Sequence, residues 1–375
     1  MKSSLDVLIA GAGIVGAACA LELARAKMRV AIVDRSFPAS GATGASMGHI
    51  VAMDDSEAQF ALTRYSQVLW HELRDALPST IEFDRCGTIW LSCDDEELAE
   101  ARRKHAYYRE RGVAAEILDS AAVHDAEPNL KTPMAGGLLV EGDAVVYPPA
   151  ATAYFLERAA ALGATVILDR SVRRLGGSQA LLDDGTVISA DKLINAAGCC
   201  APELTEGIQV KPRKGHLVIT DRYPDVIRHQ LVELGYLKSA HSVTADSVAF
   251  NLQPRKTGQI LIGSSSQYGA VDERVDTEMV SRMLHRAFEF VPKLESLSAI
   301  RVWTGYRPGT PDSLPLIGPW EKDPSVLLAT GHEGLGITTS LATAKLIRAH
   351  IDGSEPAIPL APYLPSRHIL AEIHA

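Results

Sequence analysis

Four residues near the start of the chain, Gly11, Gly13, Gly16 and Asp34, have types and a spacing that suit dinucleotide binding. The first glycine permits a tight turn, the second lets backbone approach a pyrophosphate, and the third lets a helix pack closely on a strand. An acid about 20 residues further on can accept hydrogen bonds from a ribose. The pattern predicts a dinucleotide site without distinguishing FAD from NAD; the alternative is a glycine-rich turn in an ordinary α/β protein.

The elements that must position these residues can be read on either side of the glycines. The apolar run Leu5–Ala10 predicts a buried parallel strand, residues 14–27 predict a helix of small and apolar residues, and Val30–Val33 predicts a second strand. The N–H groups that open this helix, at Ile14 and Val15, can hold phosphate oxygens with the help of the helix dipole.

Two further loops carry polar backbone rather than core-forming side chains. Residues 40–49 (Ser-Gly-Ala-Thr-Gly-Ala-Ser-Met-Gly-His) suit a loop along a polar cofactor, or alternatively a flexible linker. Residues 330–336 (Thr-Gly-His-Glu-Gly-Leu-Gly) form a second glycine turn between a strand at 326–329 and a helix at 337–351. A helix N-terminus there can stabilise negative charge, or the turn can be a plain strand-to-helix connection.

Composition limits the class of protein. The chain has 375 residues with 46% hydrophobic and 22% charged, as in globular enzymes of about two domains. A net charge of −9 argues against nucleic-acid binding. The sequence contains no run of about 18 apolar residues, so we expect no transmembrane segment. We expect a cytoplasmic protein. The five cysteines suggest no disulfide framework, metal site or iron–sulfur cluster, although Cys199-Cys200 could be a redox pair or an ordinary loop pair.

Periodicity along the rest of the chain predicts alternating and then β-rich structure. Residues 149–198 predict a second α/β stretch that includes a hairpin with an Asp184-Gly185 turn. Residues 210–220 and 247–264 predict strands, and residues 299–304 another. Amphipathic helices are predicted at 57–77 and 276–291, and a charged, solvated helix at 94–112.

Together with Gly198 and the segment Tyr306-Arg307-Pro308-Gly309-Thr310-Pro311-Asp312, these motifs make the chain resemble the D-amino-acid oxidase-like family of FAD-dependent amine oxidoreductases. The resemblance covers nearly the whole chain, with six motifs in the family's order. Residues 305–318 and 330–339 look most like the branch that holds the flavin β subunits of D-hydroxyproline dehydrogenases and opine oxidases, and a subunit of hydrogen cyanide synthase.

The resemblance implies an α/β fold in which a Rossmann-type FAD-binding domain (1–78, 143–206 and 311–375) is interwoven with an antiparallel-sheet α+β substrate-binding domain (79–142 and 207–310). It implies non-covalent FAD, because no cysteine occurs at 304–307, where some sarcosine oxidases tether the flavin. Cofactor contacts are then expected from Gly11, Gly13, Ile14, Val15, Gly16, Asp34, Arg35, Thr43, Ala45, Ser46, Gly48, Val172, Ala197, Gly198, Arg307, His332, Gly334, Leu335, Gly336, Ile337 and Thr338.

By the same resemblance Arg307 binds the substrate carboxylate, and a planar guanidinium suits such a two-pronged pair. The alternative is a structural arginine paired with Asp312. His49, Tyr306 and Asn251 are the other catalytic candidates; Asn251 stands where glycine oxidase-like members have a carboxylate-binding tyrosine, for which Tyr306 or Tyr236 could substitute. His332 and Glu333 are further candidates for a general base. His216 and His241 could reach the site from the β-rich part of the chain.

Residues 259–263 lack the lysine with which sarcosine oxidases activate oxygen, and this favours a dehydrogenase. The leading hypothesis is an FAD-dependent dehydrogenase of a secondary or D-amino acid, of the D-hydroxyproline or opine type, that transfers hydride to flavin N5. It would be the β subunit of a hetero-oligomer whose partner subunit carries further redox cofactors. The alternatives are a glycine, sarcosine or D-amino-acid oxidase, an electron-relay subunit without its own substrate, and an NAD(P)-binding reductase suggested by Asp34-Arg35.

Overall fold

The computed structural model describes residues 5–235, 246–270 and 272–367, and it divides into two compact units. Unit 1 is Met1–Ile81, Tyr147–Pro212 and Tyr306–Ala375, and unit 2 is Glu82–Val146 and Arg213–Gly305. The predicted boundaries after residues 78, 142, 206 and 310 lie close to those found after 81, 146, 212 and 305. One difference matters for the site. The prediction places Tyr306 and Arg307 in the substrate-binding domain, whereas in the structure they belong to unit 1.

The strands are β1 (Leu5–Ala10), β2 (Val30–Val33), β3 (His49–Ile50), β4 (Thr88–Ser92), β5 (Ala115–Asp119), β6 (Gly136–Val140), β7 (Ala144–Val145), β8 (Thr165–Ile167), β9 (Val172–Gly176), β10 (Gln179–Leu182), β11 (Val187–Asn195), β12 (Lys211–Thr220), β13 (Gln230–Glu233), β14 (Ser247–Pro254), β15 (Ile260–Tyr268), β16 (Ala299–Gly309), β17 (Leu316–Trp320) and β18 (Asp323–Thr330). The helices are α1 (Ile14–Arg25), α2 (Glu57–Leu73), α3 (Asp95–Glu110), α4 (Ser120–Ala126), α5 (Pro148–Ala161), α6 (Ala201–Leu204), α7 (Thr277–Phe290) and α8 (Gly336–Asp352). Short 3-10 turns occur at Arg74–Ala76, Ser79–Ile81, Gly198–Cys200, Pro292–Ser296 and Ala361–Tyr363.

Unit 1 is built on one twisted sheet with the strand order β17-β18-β11-β1-β2-β8. The neighbours from β18 to β8 pair in parallel, and β17 returns antiparallel along β18. The Asp184-Gly185 turn joins β10 to β11 in the predicted antiparallel hairpin, and β9 pairs antiparallel with the other side of β10. Helix α1 packs against α5 and α8. Its small and apolar residues are almost all buried, which explains why this helix reads as apolar on every side.

Unit 2 contains a second sheet with the order β16-β12-β15-β14-β13-β4-β6-β5. Most of its pairs are antiparallel as predicted, but β4 and β13 pair in parallel. Its core includes Ile89, Leu231 and Phe250, with side chains from α7 and α4 packed against the same face. The prediction that the charged helix α3 is solvated is wrong in part, because Lys104 is fully buried with Nζ 4.4 Å from the centroid of the Trp90 ring.

Candidate functional site

The loops that carry the sequence motifs of unit 1 leave one edge of its sheet. In the parallel ladder Ala10 of β1 lies opposite Asn195 of β11, which lies opposite Leu328 of β18. The first glycine turn, the segment at 196–198 and the second glycine turn therefore follow strands that end side by side. Ligands of open α/β sheets bind at this carboxyl edge.

The first glycine turn is as tight as its sequence predicts. Gly11 has φ +111°, and a Cβ there would lie 2.5 Å from the Ala196 carbonyl oxygen. A Cβ on Gly16 would lie 1.9 Å from the Gly11 carbonyl oxygen, so no side chain fits between helix and turn. Gly13 is the N-cap of α1 and provides no side-chain hydrogen bond, so the N–H groups of Val15 and Gly16 can serve a ligand.

The loop of residues 40–49 is fixed to this helix start and is not a free linker. The Ile14 N–H donates a hydrogen bond of 3.1 Å to the Thr43 hydroxyl oxygen. Thr43 is buried, and its carbonyl accepts a bond of 2.7 Å from the Ser46 hydroxyl. Ala45 and Ser46 are half-buried, and Gly48 has φ +106°. The loop thus presents its backbone beside the N-terminal end of α1.

Asp34 closes the first glycine turn. One carboxylate oxygen accepts the Ala12 N–H at 2.6 Å and the other accepts the Ser36 N–H at 2.9 Å. Each oxygen retains a second lone pair with which to accept a ribose hydroxyl. The Asp34 carbonyl accepts the Arg170 N–H at 3.0 Å, which brings the chain leading to Val172 beside the acid. Arg35 is exposed.

Asn195 is a supporting residue that the sequence analysis missed. It is fully buried at the end of β11, where its Oδ1 accepts the Ala197 N–H at 3.1 Å and its Nδ2 donates to the Ala201 carbonyl at 2.9 Å. The Thr330 hydroxyl donates to the Gly198 carbonyl at 3.1 Å and so joins this turn to the second one. The available signal was a polar Asn that ends an otherwise apolar strand.

The second glycine turn opens helix α8. Gly331 has φ +77°, and a Cβ there would lie 2.6 Å from Thr310 Cγ2. Glu333 has φ +49°, and its N–H donates to the Pro308 carbonyl at 2.9 Å. Leu335 is the N-cap and gives no side-chain hydrogen bond, so the first N–H groups of α8, at Gly336, Ile337 and Thr338, are available to an acceptor.

Arg307 lies over this second turn. A Cβ on Gly334 would be 3.8 Å from both Cδ and Nε of Arg307, which is an ordinary van der Waals distance, so the arginine side chain lies close to this glycine. The preceding carbonyl, that of Tyr306, accepts a hydrogen bond from the Cys199 thiol at 3.5 Å. The Asp312 carboxylate, considered above as a structural partner for Arg307, receives two hydrogen bonds from Arg367, of 2.7 and 3.0 Å.

His49 is connected to the start of α8 through its backbone. The Thr338 hydroxyl donates to the His49 carbonyl at 2.8 Å and accepts the Val51 N–H at 3.4 Å. The side chain is half-buried, and its Nε2 atom is buried with no hydrogen-bond partner among the described residues. Burial, and secondarily the charge of Arg307, lower the pKa of His49 to about 4. The imidazole is therefore uncharged at neutral pH.

Two other histidines have structural roles. His332 is 5% exposed, its Nε2 lies 3.0 Å from the Thr343 hydroxyl, and burial lowers its pKa to about 3. Its side chain is thus engaged with α8, and only its backbone remains for a cofactor. His216 is fully buried in unit 2, with Nδ1 2.9 Å from the Ser265 hydroxyl and Nε2 accepting the Asp276 N–H. It supports the start of α7.

The remaining candidates are Asn251, Tyr236 and His241, and none of the contacts described above for unit 1 involves them. Asn251 belongs to β14 of unit 2, opposite Val232 and Gly263, and its Oδ1 is buried without a partner among the described residues. Tyr236 and His241 lie outside the described residues. Trp70, which the sequence analysis did not select, donates from Nε1 to the Ile337 carbonyl at 3.2 Å and so fixes the first turn of α8.

The residues of unit 1 fit an extended dinucleotide with a charged or polar ring at one end. Two helix N-termini whose N-cap residues give no side-chain hydrogen bond, and three glycine positions without space for a Cβ, border one edge of the sheet. The buried Nε2 of His49 is an additional polar atom that a ligand can satisfy. The first helix start suits the pyrophosphate and Asp34 suits the ribose, while the start of α8 suits the electron-rich edge of a flavin.

Some features are absent from the part of the chain that the structure describes. There, no three or more His, Cys, Asp or Glu side chains are grouped so that they could hold a metal ion. No helix within 5–235, 246–270 and 272–367 has the length and apolar character to cross a membrane. All five cysteines have free thiols.

Comparison with known proteins identifies the family. The family model DAO, described as FAD dependent oxidoreductase, matches residues 6–349. Glycine oxidase from Geobacillus kaustophilus is 30% identical over 386 residues, covering 98% of both chains. Hydrogen cyanide synthase subunit HcnC from Pseudomonas aeruginosa is 29% identical over 421 residues, covering 98% of this chain and 97% of HcnC.

Solved structures give the same result for the fold. The glycine oxidase structure from Geobacillus kaustophilus superposes with a TM-score of 0.87 at 28% identity, covering 97% of this chain and 99% of that chain. L-proline dehydrogenase from P. horikoshii also gives 0.87, at 22% identity and 99% coverage of both chains, and shares the fold. The chain therefore belongs to the DAO family of FAD-dependent oxidoreductases.

Proposed function

We propose that this protein is an FAD-dependent dehydrogenase that oxidises the C–N bond of a secondary or D-amino acid, of the D-hydroxyproline or opine type. The observation that carries the proposal is the position of Arg307 over Gly334 at the start of α8. This places a permanent cation beside the helix end that suits the flavin ring. A substrate that carries a carboxylate would be oriented there by two parallel N–H···O bonds.

The chain's own residues would mainly bind and orient. Arg307 holds the substrate carboxylate and thereby fixes the direction of the Cα–H bond. The bond is then oriented for reaction when the substrate binds. The N-terminus of α8 stabilises negative charge on a bound group, and His49, being uncharged, adds no charge of its own to the site. When bound, FAD would supply the acceptor, N5, for the hydride that leaves Cα as the C–N bond is oxidised to C=N. Tyr306 is proposed as a further substrate contact.

Two sequence features and one likeness support the finer assignments. Non-covalent FAD is favoured because Thr304-Gly305-Tyr306-Arg307 contains no cysteine. A dehydrogenase is favoured because Ile260, Leu261 and Ile262 of β15 provide no lysine for oxygen activation. A hetero-oligomer is favoured by the likeness to HcnC, which is a subunit of hydrogen cyanide synthase. In that arrangement electrons leave the flavin through a partner subunit with further redox cofactors.

The test is anaerobic reduction of the FAD-loaded protein by a panel of amino and imino acids. We expect a secondary amino acid, such as D-hydroxyproline or an opine, to bleach the flavin absorbance. Bleaching by no member of the panel would remove the amine-oxidising activity. The relay alternative makes a different prediction, since a relay subunit with Arg307→Ala should keep its activity in a complex.

A second candidate, a glycine or D-amino-acid oxidase, is favoured by the 30% identity to glycine oxidase from Geobacillus kaustophilus. The two candidates differ in electron acceptor. In aerated buffer an oxidase should release peroxide as fast as it reduces an artificial dye. A dehydrogenase should reduce the dye at least about tenfold faster than it releases peroxide, and this ratio of rates corresponds to a difference of about 1.4 kcal/mol between the two activation barriers.

A further inference from the structure

The Nε2 atom of His49 is a polar atom that the interactions of the chain leave unexplained. It is buried, and it has no hydrogen-bond partner among the described residues. Buried polar atoms are nearly always satisfied, so an exception in a native fold calls for a ligand or water that meets it. The side chain as a whole is half-buried, which places the ring at the boundary of unit 1's interior.

The backbone that carries this ring is firmly placed. Thr338 donates to the His49 carbonyl and accepts from the Val51 N–H, at 2.8 and 3.4 Å. Thr338 itself lies in the first turn of α8, whose Ile337 carbonyl is held by the Trp70 indole at 3.2 Å. His49 is therefore positioned against the helix end that suits the flavin ring, and directly after the loop at 40–48 that suits the pyrophosphate.

The charge state of the ring limits what it can bind. Burial and the nearby Arg307 charge lower the pKa of His49 to about 4, so the ring is neutral at pH 7. A neutral imidazole cannot serve as a second cation for a carboxylate. It offers one N–H donor and one acceptor nitrogen instead. The isoalloxazine edge has carbonyl acceptors and an N–H donor, and so can satisfy Nε2 in either tautomer.

We propose that His49 hydrogen-bonds through Nε2 to the isoalloxazine ring of FAD and thereby adjusts the reduction potential of the flavin. The proposal depends on FAD binding and does not depend on which amino acid is oxidised. Hydrogen bonds to the cofactor are one of the protein's means of tuning its electronics. A neutral partner does so without adding charge next to Arg307.

The experiment uses the FAD-loaded full chain and compares the wild type with His49→Ala and His49→Asn. The midpoint potential is measured against reference dyes, with the visible flavin spectrum recorded in parallel and no amino acid present. We expect His49→Ala to change the oxidised-to-reduced equilibrium by about tenfold, which is about 30 mV for a two-electron couple. His49→Asn keeps a donor and an acceptor, so its potential should differ from that of the wild type by no more than half of the change seen in His49→Ala.

The control is His105→Ala, which removes a histidine of α3 in unit 2 whose Nε2 lies 3.1 Å from the Ala115 carbonyl, and it should leave the potential unchanged. An unchanged potential and spectrum in His49→Ala would overturn the proposal. If His49→Ala fails to retain FAD, retention of FAD by His49→Asn would support the contact, and loss of FAD from both variants would overturn it. Because no substrate is used, failure of this test is distinct from failure of the amino-acid panel.

Discussion

A Cβ on Gly16 would lie 1.9 Å from the carbonyl oxygen of Gly11. Helix α1 therefore contacts the first glycine turn through backbone alone, and this contact sets how near the N-terminus of the helix comes to a bound pyrophosphate. The neighbour is a carbonyl oxygen rather than a flexible side chain, so it cannot give way without moving β1 or the turn.

Gly16→Ala should consequently destabilise the protein and weaken FAD binding together. Overpacking of this kind costs about 1–3 kcal/mol of unfolding free energy. Chemical denaturation would measure the loss, and flavin content after purification would report the site. Gly41→Ala is a matched control for stability, because a Cβ at Gly41 would meet no protein atom within 4 Å. Equal stability of the two variants would contradict the prediction.

Local patterns were enough to predict this part of the site. The order of strand, glycine turn, helix, strand and acid is encoded within residues 5–34, and each element found there agrees with its prediction to within two residues at either end. The glycine positions are predictable because each turn requires either positive φ or close backbone contact, and these requirements act over a few residues.

Contacts between distant residues could not be predicted in this way. Thr338 meets His49, and Trp70 meets Ile337, only because the sheet order brings these segments together. The burial of Lys104 against Trp90 likewise depends on which face of α3 meets the sheet, although the composition of α3 is typical of a solvated helix. The parallel pairing of β4 with β13 has no local signal either.

Arg307→Ala should remove most of the amino-acid activity while leaving flavin reduction by dithionite intact. The loss of a charge-assisted, two-pronged contact should lower kcat/KM about 100-fold, equivalent to about 2.7 kcal/mol. Arg307→Lys should recover part of this, since an ammonium keeps the charge but not the planar fork. Anaerobic stopped-flow reduction by the best substrate of the panel would measure both. Wild-type rates in Arg307→Ala would exclude carboxylate binding by this residue.

Thr338→Val should separate His49 from helix α8. The substitution keeps the shape but removes the donor to the His49 carbonyl and the acceptor of the Val51 N–H. Leaving buried backbone groups unsatisfied should cost about 1–3 kcal/mol of unfolding free energy. FAD affinity should fall with it, measured by quenching of flavin fluorescence on titration of the apoprotein. Thr338→Ser retains the hydroxyl and should hold FAD more tightly than Thr338→Val; the reverse order would contradict this role.

The stability of the protein should decrease in mild acid, in part because of His332. Burial lowers its pKa from 6.5 to about 3, so the unfolded chain binds this proton more tightly than the folded chain does. Its contribution to stability is complete above pH 6.5 and is lost as the pH falls towards 3. Within that window His332 contributes a slope of at most about 1.4 kcal/mol per pH unit.

His332→Asn should reduce this slope by up to the same amount, because asparagine does not titrate, while its amide can still meet the Thr343 hydroxyl. Urea unfolding of both proteins between pH 7 and pH 4.5 would measure the two slopes. Part of the slope should persist in the variant, since the pKa of His49 is lowered to about 4 for the same principal reason, burial. If the two proteins lose stability in parallel from pH 7 to pH 4.5, His332 is not the group that is protonated on unfolding.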